Sequence, residues 1–278
     1  MKKITRRSFL AAAGLTAAAL ALTACGGSSS STASSTASSA ASSEAASSSA
    51  AAELTTVEAG KLTMATNATF PPYEMTTDTG AFEGIDVDTA QAIAEKLGLE
   101  LQIDDMEFDA ALLSVQQGKA DIVMAGVTGT DERKAVMDVS DSYATGIQSI
   151  IVPEGSDIAT PDDLAGKKIG TQRGTTGYIY CSDDFGDENV VAYDSGLTAV
   201  QALNNGQVDA VVIDNAPAQE YVAANPGLVV LDTSYAEEDY AIGMAKGSAL
   251  EDAINAALEE LKADGTLQSI VDKYITAE

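Results

Sequence analysis

Hydrophobic and polar positions change period repeatedly after about residue 60, from the two-residue period of strands to the 3.6-residue period of helices. The clearest helical stripe precedes Gly98, a residue type that favours helix C-termini. In this part of the chain the pattern predicts strands at Leu62–Thr66, Leu99–Ile103 and Asp121–Ala125, helices at Ile85–Leu97 and Asp109–Gln117 (N-capped by Asp109), and a proline-containing loop at Asn67–Met75. The order β-α-β-α-β with short connections predicts an α/β lobe.

The second half of the chain has the same character. Thr160 and Pro161 form a cap and first position typical of a helix start. The elements predicted after them are strands at Lys168–Thr171, Val190–Ala192, Asp209–Ile213 and Tyr240–Ala245, and helices after the turn Arg173–Gly177 and at Leu197–Asn205, Ala216–Ala224, Leu250–Leu261 and Leu267–Tyr274. Ser248 and Glu251 fit a capping box for the penultimate helix.

A weak internal repeat relates the two halves. The segment Ser114–Gly126 can be laid on Ala202–Asp214 at a constant offset of 88 residues, so that glycine matches glycine and aspartate matches aspartate within it. Gly126 and Asp214 then occupy equivalent strand ends, one in each lobe. If the lobes face each other, both strand ends face one cleft.

The last two helices are expected to pack against the first lobe, which makes that lobe discontinuous. The predicted boundaries are residues 60–144 and 245–278 for lobe 1 and residues 145–244 for lobe 2. The two chain crossings, near Ala144–Gly146 and near Tyr240–Gly243, are predicted to form a hinge.

The first 24 residues read as an export signal. A basic start is followed by the apolar run Phe9–Ala21, which is too short for a stable spanning helix. The run ends in Leu-Thr-Ala-Cys, which resembles a bacterial lipobox and implies cleavage before Cys25 and lipidation of its thiol. A plain secretory signal with a chance cysteine is the alternative. The paired Arg6 and Arg7 leave both the general and the twin-arginine export routes open.

Residues 25–59 after this signal are mostly serine, alanine, threonine and glycine and show no periodic apolar face. Such a composition predicts a flexible tether that carries the lipidated Cys25 at its start.

Charge and composition exclude several classes of function. The sequence has 42 acidic and 15 basic residues, and four of the basic residues (Lys2, Lys3, Arg6, Arg7) lie in the leader. This balance argues against nucleic-acid binding, which needs a basic surface. The chain has no histidine and two cysteines, so histidine-dependent hydrolysis, a histidine-ligated zinc site and a disulfide framework are all excluded. The acidic run Ser182–Glu188 does not fit a calcium-loop spacing, and we predict no metal site and no cofactor.

Arg133 is the strongest candidate for binding an anion. The apolar run that ends at Gly126 is followed by Thr130, an N-cap residue, so Arg133 falls in the first turn of a helix, where a cation opposes the helix dipole. An arginine just beyond the carboxyl end of a buried strand is where an open α/β sheet holds an anionic ligand. The alternative is a solvated arginine paired with Glu132 or Asp131.

Several segments together resemble a known family. They are ATNATFPPYEM, FEGIDVDTAQAIAEKLG, FDAALLSVQQGKADIVMAGVTGTDERK, IGTQRGTTG and VDAVVIDNAP, in that order from about Lys61 to Tyr274. With the lipobox and the tether, they resemble the bacterial extracellular solute-binding proteins of family 3.

The resemblance implies a type II periplasmic-binding-protein fold, in which each of two lobes is a sheet flanked by helices and the ligand cleft lies between them. It implies a non-enzymatic, monomeric lipoprotein on the extracellular face of the bacterial cytoplasmic membrane. Such a protein captures a free amino acid by lobe closure and delivers it to the permease and ATPase of an ABC importer.

The same resemblance implies roles for nine residues. Arg133 would grip the ligand α-carboxylate, together with backbone amides at Thr128 and Thr176, next to Thr175. Asp214, with the Gly126 carbonyl and the Thr128 hydroxyl, would take the ammonium group. The alternative for Asp214, Thr175 and Thr176 is helix capping alone.

The remaining implied positions surround the ligand side chain. Phe70 and Phe108 would flank it as an aromatic clamp, with ordinary core packing as the alternative. Relatives that bind cationic side chains often carry an acid where Asn67 stands, so Asn67 favours a polar uncharged amino acid such as glutamine, or cystine. Glu74, Gln172 and Arg173 are further polar candidates.

Two other classes of function stay open. Dehydratases that act on prephenate-like acids resemble this fold, and Glu74 or Asp214 could serve as their general acid, although no carboxylate pair is clearly placed for it. A sensory module that uses the same ligand-binding fold is the third class.

Overall fold

The computed structural model describes residues 54–275. The predicted signal, Cys25 and the tether up to residue 53 lie outside the described residues. None of the helices within residues 54–275 has the length and hydropathy needed to cross a bilayer.

The described chain alternates strands and helices. The strands are β1 (Lys61–Thr66), β2 (Thr69–Phe70), β3 (Glu74–Thr76), β4 (Phe82–Glu83), β5 (Glu100–Asp105), β6 (Ile122–Val123), β7 (Met137–Val139), β8 (Ala144–Pro153), β9 (Ile169–Gln172), β10 (Val190–Tyr193), β11 (Ala210–Asp214), β12 (Leu228–Val230), β13 (Ala236–Tyr240) and β14 (Gly243–Ala245). The α-helices are α1 (Ile85–Leu97), α2 (Phe108–Gln116), α3 (Asp131–Val136), α4 (Thr176–Phe185), α5 (Gly196–Asn204), α6 (Asn215–Ala224), α7 (Glu251–Ala263) and α8 (Thr266–Tyr274). Short 3₁₀ turns cover Pro161–Leu164 and Asp187–Asn189.

The first lobe is built on a five-stranded sheet of order β5-β1-β6-β14-β7. Strand β1 pairs in parallel with β5 and β6, whereas β14 runs antiparallel to β6 and β7. Its central strands are fully buried because helices cover both faces, which explains the continuous apolar runs in the sequence. Helices α1, α7 and α8 pack together on this lobe, as the discontinuous arrangement predicts.

The second lobe repeats this order. Its sheet is β10-β9-β11-β8-β12, with β13 added along β8. Strand β9 pairs in parallel with β10 and β11, and β8 runs antiparallel to β11, as β14 runs antiparallel to β6 in the first lobe. Helices α4 and α5 pack on it. Both lobes thus have three parallel strands followed by an antiparallel one, which confirms the predicted α/β class and two-lobed fold.

The predicted repeat is visible in individual hydrogen bonds. Asp121 Oδ2 accepts the N–H of Thr63 at 2.8 Å, and Asp209 Oδ2 accepts the N–H of Lys168 at 2.7 Å, so each aspartate fixes the first parallel strand of its lobe. Gly118 and Gly206, three residues before these aspartates, end their helices at φ values of 64° and 67°, a conformation that favours glycine.

The two crossings between the lobes differ slightly from the predicted ones. Residues 140–143 connect β7 in the first sheet to β8 in the second, and residues 241–242 connect β13 back to β14. The predicted strand Tyr240–Ala245 is therefore two strands in two sheets. Gly243 and Met244, which the sequence placed in lobe 2, pair with β6 of lobe 1, and Ala144 begins a strand of lobe 2. Strand and helix periods alone do not show which sheet a strand joins.

Three local predictions were wrong in detail. The N-cap residue of α2 is Glu107, and Asp109 lies within its first turn. Ser248 accepts the N–H of Leu250, the N-cap of α7, at 3.2 Å, and no side-chain cap or capping box forms there. The predicted loop Asn67–Met75 contains short strands that pair into a small three-stranded sheet.

The end of the predicted tether is part of the folded lobe. The N–H of Val57 donates to Asp121 Oδ1 at 2.7 Å, and Leu54 packs against the first lobe's apolar core. Residues 54–59 contain Leu54 and Val57 but no helical or strand period, so the boundary depends on long-range contacts that the local sequence does not show.

Candidate functional site

A small cavity lies between the two lobes, at the carboxyl ends of their parallel strands. It is lined by Asn67, Phe70, Glu74, Phe108, Ala125, Gly126, Arg133, Gln172, Thr175, Thr176 and Asp214. Eight of the nine predicted ligand-binding residues are in this set, and the ninth, Thr128, holds Arg133 in place. Both repeat-related strand ends, Gly126 and Asp214, face the same cavity, as predicted from the offset.

Arg133 is buried at the start of α3, with 8% of its surface exposed. Thr130 Oγ1 accepts the Arg133 N–H at 3.2 Å, which confirms the predicted N-cap. The guanidinium donates to the Thr128 carbonyl at 2.8 Å and, across the lobes, to the Gly174 carbonyl at 3.1 Å. Burial lowers the pKa of Arg133, and the nearby Glu238 partly opposes this shift, so the group remains a cation. The alternative of a solvated arginine paired with its neighbours is excluded.

Two further groups on the walls favour an anion near Arg133. Thr175 caps α4 by accepting the Tyr178 N–H at 3.3 Å, and Thr176 is the first residue of that helix. Both residues line the cavity, so the free amides of the α4 N-terminus lie beside it. Capping and cavity lining are therefore compatible roles for Thr175.

Asp214 lies at the end of β11 and is buried. Its carboxylate accepts hydrogen bonds from the Tyr240 hydroxyl and from Gln148 Nε2, the latter at 2.8 Å. Burial raises the pKa of Asp214 to about 7, with a contribution from the negative charge of Glu238. Its side chain makes no cap bond to α6, so capping does not explain its position.

Glu238 on β13 is a polar group of this region that sequence reasoning missed. It is 7% exposed, and its two oxygens accept hydrogen bonds from Gln148 at 3.0 Å, Thr176 Oγ1 at 2.8 Å and the Tyr180 hydroxyl at 2.8 Å. These donors satisfy its charge from within the protein. Glu238 is the second of three consecutive acids in β13, AEEDY, and no local sequence pattern shows that it is the buried one.

The two predicted clamp residues lie on the cavity wall from different elements of the first lobe. Phe70 is on β2 and Phe108 begins α2, and both are buried. The Arg133 guanidinium lies 5.4 Å from the centre of the Phe108 ring, a cation–π contact that fixes the orientation of both side chains. Phe70 stacks on Tyr73 with ring centres 5.9 Å apart.

Asn67 and Gln172 pair with each other across the cavity. Gln172 Nε2 donates to Asn67 Oδ1 at 2.9 Å, and Asn67 Nδ2 donates to the Met106 carbonyl at 2.9 Å. A second hydrogen bond between lobes joins the Tyr221 hydroxyl to the Thr69 carbonyl. These bonds, with the one from Arg133 to Gly174, hold the lobes together around the cavity.

Glu74 and Asp86 form a buried acidic pair beside the cavity. Asp86 accepts the Gly126 N–H at 3.0 Å and the Tyr143 hydroxyl at 2.7 Å, and burial raises its pKa to about 6. Burial raises the pKa of Glu74 well above its usual range, and the negative charge of Asp86 raises it further. Burial and the neighbouring Asp86 therefore both favour the protonated form of Glu74.

Comparisons with known proteins identify the family of the chain. A model of the bacterial extracellular solute-binding proteins, family 3, matches residues 62–277. The chain belongs to this family. It is 33% identical to the L-cystine-binding protein TcyJ of Escherichia coli, over 80% of this chain and 85% of that protein. It is 32% identical to the arginine-binding extracellular protein ArtP of Bacillus subtilis, over 78% and 87% of the two chains.

Among solved structures, an ancestral arginine-binding protein bound to glutamine matches with a TM-score of 0.75 and 41% identity. The match covers 78% of this chain and 99% of that one. The family and these relatives are binding proteins of amino-acid transport, and the type II periplasmic-binding-protein fold is confirmed. Within residues 54–275 no cluster of three or more acidic or cysteine side chains could hold a metal ion.

Proposed function

We propose that this family member captures a free amino acid in the cavity between its lobes and delivers it to the permease and ATPase of an ABC importer. Arg133, with the α4 N-terminus, takes the α-carboxylate. Asp214, the Gly126 carbonyl and the Thr128 hydroxyl take the α-ammonium, and Phe70 and Phe108 flank the side chain. The protein acts without catalysis and without a cofactor.

The observation that carries the proposal is a pair of opposite charges in one cavity. Arg133 and Asp214 are both buried, both line the cavity, and neither is in an ion pair with a described residue. An unpaired buried charge costs several kcal/mol, so each group gains from a ligand that brings the opposite charge. A zwitterion brings both. Binding and lobe closure are coupled, because the two groups come from different lobes and meet the ligand together only in the closed state.

The names of the relatives support an amino acid with a polar side chain as the ligand. Glutamine and cystine fit this description, and the names of the relatives add arginine. The same family resemblance and the Leu-Thr-Ala-Cys motif support a monomeric lipoprotein, held through Cys25 on the extracellular face of the bacterial cytoplasmic membrane.

The test is a calorimetric titration of the purified protein with a panel of amino acids, cystine and prephenate. We expect at least one amino acid to bind, and Arg133→Ala to reduce its binding free energy by about 2–5 kcal/mol, because a buried charged partner is lost. Arg173→Ala is the matched control, because this arginine follows Gln172 in sequence but is exposed and does not line the cavity, so the variant should bind as the wild type does.

Binding that survives Arg133→Ala unchanged would contradict the carboxylate assignment. Turnover of prephenate would instead support the enzymatic alternative.

A further inference from the structure

Three ionisable side chains line the cavity, and the proposed function uses two of them. Arg133 and Asp214 pair with the α-carboxylate and the α-ammonium, which leaves Glu74. Glu74 is 1% exposed, and no donor in the described part of the chain forms a hydrogen bond with its Oε2. A carboxyl group buried on a cavity wall without its full set of partners costs free energy that a bound ligand can recover.

The two cavity amides are less available to a ligand. The Asn67 amide nitrogen donates a hydrogen bond to the Met106 carbonyl, and its oxygen accepts hydrogen bonds from Gln172 Nε2 and from the Thr69 hydroxyl. Asn67 is thus a contact between the lobes, and an asparagine there does not by itself argue against a cationic ligand. Glu74 is therefore the polar side chain on this wall that can still accept a hydrogen bond from a ligand.

We propose that Glu74, supported by Asp86, selects the ligand by its side chain, and that the protein prefers side chains ending in an N–H donor, an amide or a guanidinium, over acidic side chains and cystine. This inference rests on the proposed function, since it assigns the third charged group of the same cavity.

The chemistry of the pair explains the preference. The Gly126 N–H and the Tyr143 hydroxyl donate to Asp86 and stabilise its carboxylate, whereas no described donor does so for Glu74 Oε2, so of the two acids Glu74 is the one that protonation favours. The carbonyl oxygen of a protonated Glu74 can accept an N–H from a neutral amide. A guanidinium brings a full positive charge and favours loss of that proton to solvent, which converts Glu74 into a carboxylate and forms a charge-assisted pair.

Acidic ligands have no such partner. An acidic side chain would place another carboxylate beside Glu74, Asp86 and Asp214, all of which are already buried acids. Cystine ends in a second α-ammonium and a second α-carboxylate. Its ammonium can pair with Glu74, but among the described residues Arg133 is the one cation that lines the cavity, so the second carboxylate has no cationic partner. An acidic side chain and the far end of cystine therefore each bury a carboxylate that no protein cation meets.

The inference is tested by titrating glutamine, arginine, glutamate and cystine into the wild-type protein and into Glu74→Gln. In the wild type, glutamine or arginine should bind at least about tenfold more tightly than glutamate and cystine. Glu74→Gln should weaken arginine binding about 10- to 100-fold and reduce the discrimination against glutamate. Glu83→Gln is the matched control, an exposed glutamate on β4 of the same small sheet, and should keep the wild-type order.

A proton balance gives a second readout. Arginine binding at pH 7 should release more protons than glutamine binding, seen as a larger dependence of the binding enthalpy on the ionisation enthalpy of the buffer, because both ligands require the ionisation of Asp214 but only the guanidinium favours that of Glu74. The difference between the two ligands should disappear in Glu74→Gln and persist in Glu83→Gln. Glu74→Asp keeps a carboxyl group and should retain the preference for N–H donors, while thermal unfolding of each variant confirms that it is folded.

The outcomes separate this inference from the proposed function. Glutamate or cystine as the tightest wild-type ligand, or unchanged affinity ratios in Glu74→Gln, overturns the role of Glu74; the binding function still stands if Arg133→Ala loses the ligand. A wild-type protein that binds no amino acid overturns both.

Discussion

At the scale of single residues, burial changes the acid–base behaviour of the ligand-binding carboxylates. The pKa of Asp214 is raised to about 7, mainly because its carboxylate has left water. The proposed ligand ammonium needs the ionised form. Protonation of Asp214 therefore competes with binding as the pH falls.

Ligand affinity should accordingly fall as the pH drops below about 7, approaching a tenfold loss per pH unit, because one proton must leave Asp214 before the ammonium binds. Calorimetric titrations between pH 5 and pH 8 measure this slope. Asp214→Asn should bind weakly and lose the slope, whereas Asp194→Asn, an exposed acid near the cleft, should keep it. An affinity independent of pH in the wild type would show that Asp214 is already ionised throughout this range.

Individual residues also show what sequence reasoning can and cannot reach. Arg133 and Asp214 were found because each follows a recognisable buried strand, and the sequence repeat relates the ends of those two strands. Glu238 was missed because its role depends on Gln148 and Tyr180, which lie 90 and 58 positions away in sequence. Asn67 was correctly placed in the cavity, but its hydrogen bond to Gln172 of the other lobe could not be read from local pattern.

At the scale of elements, the short helix α3 positions Arg133. It has six residues, so its own hydrogen bonds contribute little and its N-cap is a large part of its stability. Thr130 Oγ1 accepts the cap bond from the backbone N–H of Arg133 itself. The cap therefore connects the stability of an element to the geometry of the site.

Thr130→Ala should lower the free energy of unfolding by about 1 kcal/mol and should also weaken ligand binding, because Arg133 loses the bond that fixes its backbone. Thr160→Ala is the matched comparison: Thr160 caps the 3₁₀ turn Pro161–Leu164, which lies away from the cavity. Thr160→Ala should lower the free energy of unfolding by a similar amount and leave ligand affinity unchanged. Urea denaturation measures the free energy of unfolding of both variants, and calorimetry measures their ligand affinity. If Thr130→Ala and Thr160→Ala changed the affinity equally, the stability of α3 would have no specific effect on ligand binding.

The sequence predicted well whether a segment is a helix or a strand, but it predicted less well which strands pair with each other. The bounds of α1 match the predicted helix because its apolar stripe and Gly98 cap are local signals. The split between β13 and β14 was missed, since Tyr240 and Gly243 lie in one short apolar segment but join different sheets. Pairing depends on residues about 100 positions away in the chain, such as Ala144 opposite Tyr240, and no local period encodes it.

At the scale of the whole molecule, charge opposes the folded, ligand-free state. The sequence carries a net charge of −27 at pH 7. Within the fold, Glu74, Asp86 and Asp214 all have raised pKa values, mainly because burial disfavours their ionised forms. The surface repulsion and the buried acids therefore act in the same direction as the pH rises.

The ligand-free protein should consequently become less stable as the pH rises from about 4 to 7. A group whose pKa is raised on folding binds more protons in the folded state than in the unfolded state, so stability is lost as the pH rises from the unfolded pKa to the folded one. For Asp214 this pH window runs from its ordinary pKa of 3.8 to its raised pKa of about 7, and the stability lost across it is roughly 4 kcal/mol. Asp138, Asp163 and Asp264 have lowered pKa values, so they reduce stability only as the pH falls below about 3.8.

Urea denaturation of the ligand-free protein at pH 4.5, 6.0 and 7.5 at constant ionic strength measures this dependence. The midpoint should fall with pH, and Asp214→Asn should flatten the fall because its amide does not ionise. If 0.5 M salt removes the dependence in the wild type, surface repulsion is the cause, since salt screens exposed charges more than buried ones. A midpoint that rises from pH 4.5 to 7.5 would mean that the buried acids gain more from their donors than burial costs them. Saturating ligand should reverse the trend above pH 6, because the bound ammonium then pairs with the carboxylate that otherwise destabilises the fold.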